Sequence, residues 1–233
     1  MLDFPKAHIF EPAVDKMKTK PRGSKYRPSF DEEQVLVKRG CRLIAGIDEV
    51  GRGPLAGPVM AGAVILPLNL ETPWLHLIND SKQLSEKMRE QLFPLIYEAA
   101  IAIGIGEVSA EAIDEHGIAR ATKMAMKAAI GKLHPKPDAL LIDFVRLPEI
   151  NLPQRCIPKG DCKSISIACA SIIAKVTRDR LMVELDMMYP GYGFAGHKGY
   201  ATKEHLESIG RLGACPIHRK CFSPFRLELD LGK

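Results

Sequence analysis

From Arg42 to Pro67 the chain carries an apolar run, Arg42-Leu-Ile-Ala-Gly-Ile47, then Asp48-Glu-Val-Gly-Arg-Gly-Pro54, then a second apolar run from Val59 to Leu66. Apolar runs of this length bounded by glycine and proline predict two buried strands, and such a pair around an acidic turn restricts the fold more than any other feature. On this reading the two acids end the first strand. Neighbouring strand residues point to opposite faces unless the backbone bends, and Gly51, Gly53 and Pro54 supply the means to bend it. Between buried strands a carboxylate such as Asp48 is desolvated at high cost, so it needs a cation. A charged surface bend is the plainer alternative.

The pattern then alternates between helix and strand. Ser29-Phe-Asp-Glu-Glu33 predicts a short helix with Ser29 as N-cap and acids in the first turn, closed by Gly40. The polar loop Asp80-Ser-Lys-Gln-Leu84 leads to a helix from Glu86 to Ala99, with Ser85 as N-cap and Pro94 as a break or kink. Ile101 to Val108 alternates Ile and Gly, a strand with close neighbours on its glycine side. Ser109 caps a helix that stops at Gly117, and Ile118 to Lys132 carries Ala and Met at helical spacing as a core helix. Ala139-Leu-Leu-Ile-Asp143 repeats the apolar run ending in an acid, and Arg155-Cys-Ile-Pro158 is a short strand.

Beyond it, Asp161 precedes a helix over Ser164 to Asp179 whose Ala168, Ala170, Ser171 and Ala174 predict close packing on a sheet, with Lys175 and Arg178 available at one end. In the loop after it, Tyr189, Tyr192 and Phe194 read as anchors to the core and Tyr200 as the site candidate, and Thr202 caps a helix from Lys203 to Leu212. The whole is α/β. Parallel pairing of strands joined through helices sets Asp48 beside Asp143 at the carboxyl ends of neighbouring strands, where sites collect in such sheets.

With 233 residues, 46% of them hydrophobic, the chain suits one large domain with appendages, and a formal charge of +5 permits a polyanionic partner. The six cysteines form no Cys-x-x-Cys pair, so reduced thiols are expected rather than a disulfide framework or a zinc site. No apolar stretch of about 20 residues is present to span a bilayer, and the expectation is a soluble, cytoplasmic monomer with no membrane partner. Residues 1–28, rich in Lys, Arg and Pro, read as a flexible basic extension, and the basic segment after Pro216 has no role legible in sequence.

Asp48, Glu49, Asp143 and Asp161 all stand at ends of apolar runs or at a helix start, and one sheet can gather them. Two unit charges 4 Å apart repel by about 4 kcal/mol at an effective dielectric of 20, so either protons or metal ions must fill the gap. Hard divalent cations take oxygen ligands, and Mg²⁺ binds through a few carboxylates together with substrate phosphates. The residues themselves thus reach a metal-dependent phosphodiesterase on an α/β scaffold. Asp179 competes on spacing for the fourth ligand position, but its arginine neighbours Arg178 and Arg180 favour an ion pair.

Gly46-Ile-Asp-Glu-Val-Gly-Arg-Gly-Pro-Leu-Ala-Gly-Pro58, Asp80-Ser-Lys-Gln-Leu84, Lys159-Gly-Asp161, Ala170-Ser-Ile-Ile-Ala-Lys-Val-Thr-Arg-Asp179 and His197-Lys-Gly-Tyr200 resemble, in order, the motifs of the ribonuclease HII family. The resemblance runs over about residues 29–225. It implies an RNase H-like fold, a central mixed β-sheet flanked by helices with a C-terminal helical segment, and a catalytic domain over 29–225 followed by a tail at 226–233. It also implies a two-metal endonuclease using Mg²⁺ or Mn²⁺. Such an enzyme cleaves the RNA strand of RNA/DNA hybrids, and single ribonucleotides embedded in duplex DNA, leaving 3′-hydroxyl and 5′-phosphate ends. Carried over by position, Asp48, Glu49, Asp143 and Asp161 match the metal-binding carboxylates. Gly51, Arg52 and Gly53 match the segment that reads the ribose 2′-hydroxyl through backbone groups, and Tyr200 the tyrosine that stacks on the following sugar. Ser81, Lys82, Ser171 and Lys175 are then candidate phosphate contacts.

Four positions depart from common members: Phe144-Val145 where bacterial relatives carry Gly-Asn, Cys169 within an Ala-rich run, and Ala201 in place of Gly. None is a carboxylate, so the departures bear on the substrate groove near Asp143 rather than on the reaction. Three rival readings stand beside this one. A ribonuclease HIII shares the fold but lacks the Gly-Arg-Gly segment and bears an N-terminal domain. A hybrid-binding module without catalysis would be expected to have lost one of the four acids. A structural Ca²⁺ site would leave the Gly-Arg-Gly turn, the lysines and Tyr200 without a role.

Overall fold

The computed structural model describes residues 27–225. The predicted basic extension therefore lies outside the described residues except for Arg27 and Pro28, as does the predicted tail at 226–233. Helix α1, Asp31–Val37, opens the described chain, and Phe30 rather than Ser29 takes its N-cap position. Ser29 sits one residue further out, where its backbone bridges to Ser164, which draws it away from the helix start.

Strands β1, Ile44–Val50, and β2, Val59–Ile65, flank the acidic segment and pair antiparallel. Asp48 lies opposite Gly62 and Glu49 opposite Ala61, so both acids are inside β1 rather than at its end. The strand continues because β2 goes on offering backbone partners as far as Met60, opposite Val50. Next come α2, Glu86–Ala99, capped by the Ser85 side chain at Met88 N–H, and β3, Ala102–Val108. Pro94 is accommodated within α2 without ending it. Helix α3, Ala110–His116, is capped by Ser109, and α4 spans Ile118–Gly131.

Strands β4, Ala139–Asp143, and β5, Gln154–Ile157, complete a mixed five-stranded sheet in the order β3-β2-β1-β4-β5. β1 is the strand where the antiparallel half meets the parallel half, with Ile47 opposite Ile142 on β4. A 3₁₀ turn, Gly160–Cys162, leads into α5, Ile165–Met188, which runs nine residues past Asp179. Ser164 caps α5 at the Ile167 N–H.

One face of the sheet packs against α4, where Ala45, Ile47, Ala61 and Ala63 meet Ala121, Ala125, Met126 and Ala129. The other face packs against α5 and α2. Glycine sets the depth of both contacts. A Cβ on Gly106 would lie 1.9 Å from the Ala125 carbonyl oxygen, and one on Gly46 would lie 2.1 Å from the backbone of Ser166, so the helix backbones rest directly on the strands. Alternation along β1 follows from these contacts: Gly46 and Asp48 face α5, while Ala45, Ile47 and Glu49 face the α4 side.

The buried Glu33 of α1 docks on the start of α5, accepting hydrogen bonds from Ser164 Oγ at 2.7 Å and Ser166 N–H at 3.0 Å. After α5 come α6, Phe194–His197, and α7, Lys203–Leu212, the latter capped by Thr202. Met182 of α5, Ala56, Tyr192, Phe194 and Cys215 form the small core beneath them. No helix among the described residues is long and apolar enough to cross a membrane, and all six cysteines are free thiols.

Candidate active site

Asp48 and Asp161 are both about 95% buried, and Asp143 closes β4 beside β1. The Gly160 N–H donates to Asp143 Oδ1 at 2.9 Å, which ties the end of β4 to the turn that carries Asp161. Burial first, and then the charge of Glu49, pushes the Asp48 carboxyl well above the usual range; a hydrogen bond from Ser171 opposes this, and Asp143 and Asp161 push the same way. Asp161 is raised to about 6 by burial, Asp80 and Asp143, with Lys82 opposing. Glu49 is raised by burial and restrained by Arg52, whose Nη1 lies 3.3 Å from its Oε1. The other oxygen, Oε2, is buried and has no hydrogen-bond partner among the described residues.

Such mutual repulsion, with one carboxylate oxygen left unpartnered, fits a hard divalent cation held by oxygen donors. Asp80, absent from the four acids read from sequence, belongs to the same cluster: one carboxylate oxygen each of Asp80 and Asp161 and the Cys162 sulfur lie within 4.8 Å of one another. The Cys162 thiol is pushed up to about 11 by burial and then by Asp161 and Asp80, so it stays protonated and is a poor partner for a hard ion. Lys82 stands in the field of Asp48, Asp161, Asp80 and Asp143. Burial lowers its ammonium, but these four acids outweigh the effect and the net shift is upward.

The candidate phosphate contacts divide. Ser81 and Ser171 are buried and share a hydrogen bond of 2.8 Å in which either hydroxyl can donate. Lys175 donates to Asp179 at 2.6 Å, and Arg89 lies 3.8 Å from the same carboxylate, so Asp179 is ion-paired, although with partners other than its arginine neighbours. Arg178, expected to stay available at a helix end, is fully buried instead. It donates to the backbone carbonyls of Ala56, Pro58 and Lys198, because α5 runs past it and the loop after β1 folds over it.

A second buried arginine, Arg219, comes from the basic C-terminal segment whose role was not legible. It donates to the carbonyl oxygens of Gly51 at 2.6 Å, Arg52 at 3.0 Å and Gly57 at 2.9 Å. In a trans peptide the N–H points opposite to the carbonyl of the preceding residue. Anchoring the Gly51 and Arg52 carbonyls on Arg219 therefore turns the N–H groups of Arg52 and Gly53 away from it, outward from the loop. Gly51 has φ +83, and a Cβ there would meet Arg178 Nε at 2.2 Å, so the position requires glycine.

Tyr200 is 44% exposed and its ring edge lies 3.7 Å from where a Cβ on Gly53 would stand. Its backbone carbonyl accepts from His205 Nδ1–H at 2.8 Å; His205 Nε2 accepts from His218 Nε2–H at 3.1 Å, and His218 Nδ1 accepts from the Cys215 N–H at 2.9 Å. This chain needs neutral imidazoles, and burial lowers His205 and takes His218 down to about 4.

Comparison with known proteins bears on the family and the fold. A family model described as Ribonuclease HII matches residues 45–224. The ribonuclease HII of Acetivibrio thermocellus is 54% identical over 208 residues, covering 89% of this chain and 80% of that protein. The crystal structure of the ribonuclease H2 from Pyrococcus horikoshii OT3 superposes with a TM-score of 0.67 at 27% identity, over 81% of this chain and 97% of that one. The Bst-RNase HIII in complex with Mn²⁺ shares the fold, with a TM-score of 0.58 at 21% identity over 82% and 70% of the two chains.

Proposed function

This chain belongs to the ribonuclease HII family, and we propose that, as a ribonuclease H endonuclease of RNA/DNA hybrids, it also cuts single ribonucleotides embedded in duplex DNA. The products carry 3′-hydroxyl and 5′-phosphate ends. The observation that carries the reading is the buried Asp48 facing three further carboxylates, beside a glycine turn whose backbone is anchored from behind.

Asp48, Glu49, Asp143 and Asp161 are the residues that would hold Mg²⁺ or Mn²⁺, with Asp80 next to Asp161. When bound, these ions would polarise the phosphoryl oxygen and lower the pKa of attacking water. The protein's own groups do the rest. Ser171, supported by Ser81, orients Asp48 by donating to it. Lys82 places a positive charge where a substrate phosphate meets the acids.

Arg52 and Gly53 offer outward N–H groups to the ribose 2′-hydroxyl, the one group that separates an RNA unit from DNA. The Tyr200 ring beside Gly53 supports the next sugar. Lys175, already paired with Asp179, is left with a supporting role.

The test is a DNA duplex holding one ribonucleotide, incubated with and without Mg²⁺. Metal-dependent cutting on the 5′ side of that unit's phosphate or its neighbour, absent from the all-DNA duplex, is expected. A cut without metal, or equal cutting of the all-DNA duplex, would refute the reading.

A further inference from the structure

On the α4 side of the sheet a cleft of about 290 Å³ opens next to Asp143, bordered by Phe144. Ala119, Thr122 and Lys123 of α4 form one wall, and Arg52, Phe144 and Arg146 the other. We propose that this cleft is a nucleic-acid subsite, in which Phe144 packs on a sugar of the hybrid flanking the cut while Lys123 and Arg146 meet the adjoining phosphates. The inference rests on the reading of the chain as a hybrid-cleaving enzyme.

Phe144 is the observation that points to a ligand. It follows Asp143 directly, is 71% exposed, and holds φ at +58, in the left-handed region that a bulky side chain rarely occupies. Both features are unfavourable in the protein alone, since the ring lies in water and the backbone is strained. The surrounding hydrogen bonds keep it so: Phe144 N–H donates to Ile157 O at 3.3 Å, Val145 N–H to Asp143 O at 2.6 Å, and Cys156 Sγ to Val145 O at 3.2 Å. A ring fixed outward next to a candidate metal ligand is a ready stacking surface.

Charge selects the occupant. Arg52, Lys123 and Arg146 line the cleft and no carboxylate does. Lys123 and Arg146 form no salt bridge among the described residues, whereas Arg52 pairs with Glu49 and so joins the cleft to the acid cluster. An exposed ring bordered by cations suits the sugar-phosphate edge of a duplex, where contacts position the strand without reading its sequence.

The experiment uses fluorescence anisotropy of a labelled RNA/DNA hybrid in EDTA, where binding is read without cutting, followed by cleavage of the same hybrid in Mg²⁺. Burying the ring face against a sugar is worth enough that Phe144→Ala should weaken binding roughly tenfold, with Phe144→Trp restoring it. Because the residue is exposed and strained, Phe144→Ala should melt no lower than wild type. Lys123→Glu and Arg146→Glu should each flatten the dependence of log affinity on log salt by about one unit.

Wild-type affinity in Phe144→Ala, or a loss that Phe144→Trp does not restore, overturns the subsite. So does a Phe144→Ala chain that changes self-association but not hybrid affinity, which would make a second copy the occupant. Failure of the wild type itself to bind and cut the hybrid would instead overturn the proposed function, so the two failures are distinguishable.

Discussion

Two buried acids in this protein make opposite use of burial. Glu33, on α1, has no acidic neighbour: its Oε1 accepts from the Ser164 hydroxyl and the Ser166 N–H at the start of α5, where the helix dipole also favours negative charge, while its Oε2 is buried without a partner among the described residues. Asp48, on β1, faces one donor, Ser171, and the charges of Glu49, Asp143 and Asp161. Burial raises both carboxyls. Burial alone therefore does not mark a functional acid; the sign of what surrounds it does. Arg219 is the cationic counterpart of Glu33, fully buried among carbonyl acceptors.

The contrast is open to direct attack. The largest effect is expected from Asp48→Asn, which removes a ligand and a repelling charge together. Cleavage should fall by more than the ~100-fold typical of losing an outer-shell partner, while hybrid binding persists and the melting temperature in EDTA rises. Loss of hybrid binding with residual cleavage would contradict the assignment.

Next comes Arg219→Lys, which keeps the charge but not the fork. Hydrogen bonds from charged groups are worth ~1.5–3 kcal/mol, so preference for a ribonucleotide over its 2′-fluoro analogue should drop at least tenfold, measured as a ratio of kcat/KM. An unchanged ratio would remove Arg219 from the reader.

Glu33→Ala leaves the Ser164 and Ser166 donors buried and unpaired, at a cost of ~1–3 kcal/mol in a denaturant melt, with kcat unchanged. Loss of activity without loss of stability would erase the distinction between the two acids.

The smallest effect concerns pH. Asp161, at about 6, binds more protons in the native chain than in the unfolded one between the ordinary carboxylate range and pH 6. Its contribution to stability without metal therefore declines as pH rises through that window. The melting temperature of Asp161→Asn minus that of wild type should be largest near pH 7 and shrink toward pH 4, and Mg²⁺ should narrow it. A difference independent of pH would contradict the shift.

Much of this was legible in the sequence because it is local. The caps Ser85, Ser109 and Thr202 sit immediately before the helices they start, and the alternating Ile and Gly of β3 announce a helix lying close on its glycine side. Asp48 and Asp143 each end an apolar run, which is enough to set them side by side once the strands are parallel. The buried arginines were not legible. Arg219 reaches Gly51 across 168 positions and Arg178 reaches Pro58 across 120, and nothing in the residues around either one separates a buried donor from a surface base.

Asp80 was hidden for a related reason: its motif reads as a polar loop until the fold sets it against Asp161. The continuation of β1 through Val50 was missed because an acidic pair looks like a strand end, whereas the pairing partner on β2 decides where the strand stops.

The central claim, that the Asp48 cluster and not burial in general creates a cation site, is tested most directly by calorimetric titration of Mn²⁺ into wild type, Asp48→Asn and Glu33→Gln. Binding is expected in wild type and Glu33→Gln alike, and strongly weakened in Asp48→Asn. Equal binding in all three, or loss in Glu33→Gln alone, would contradict it.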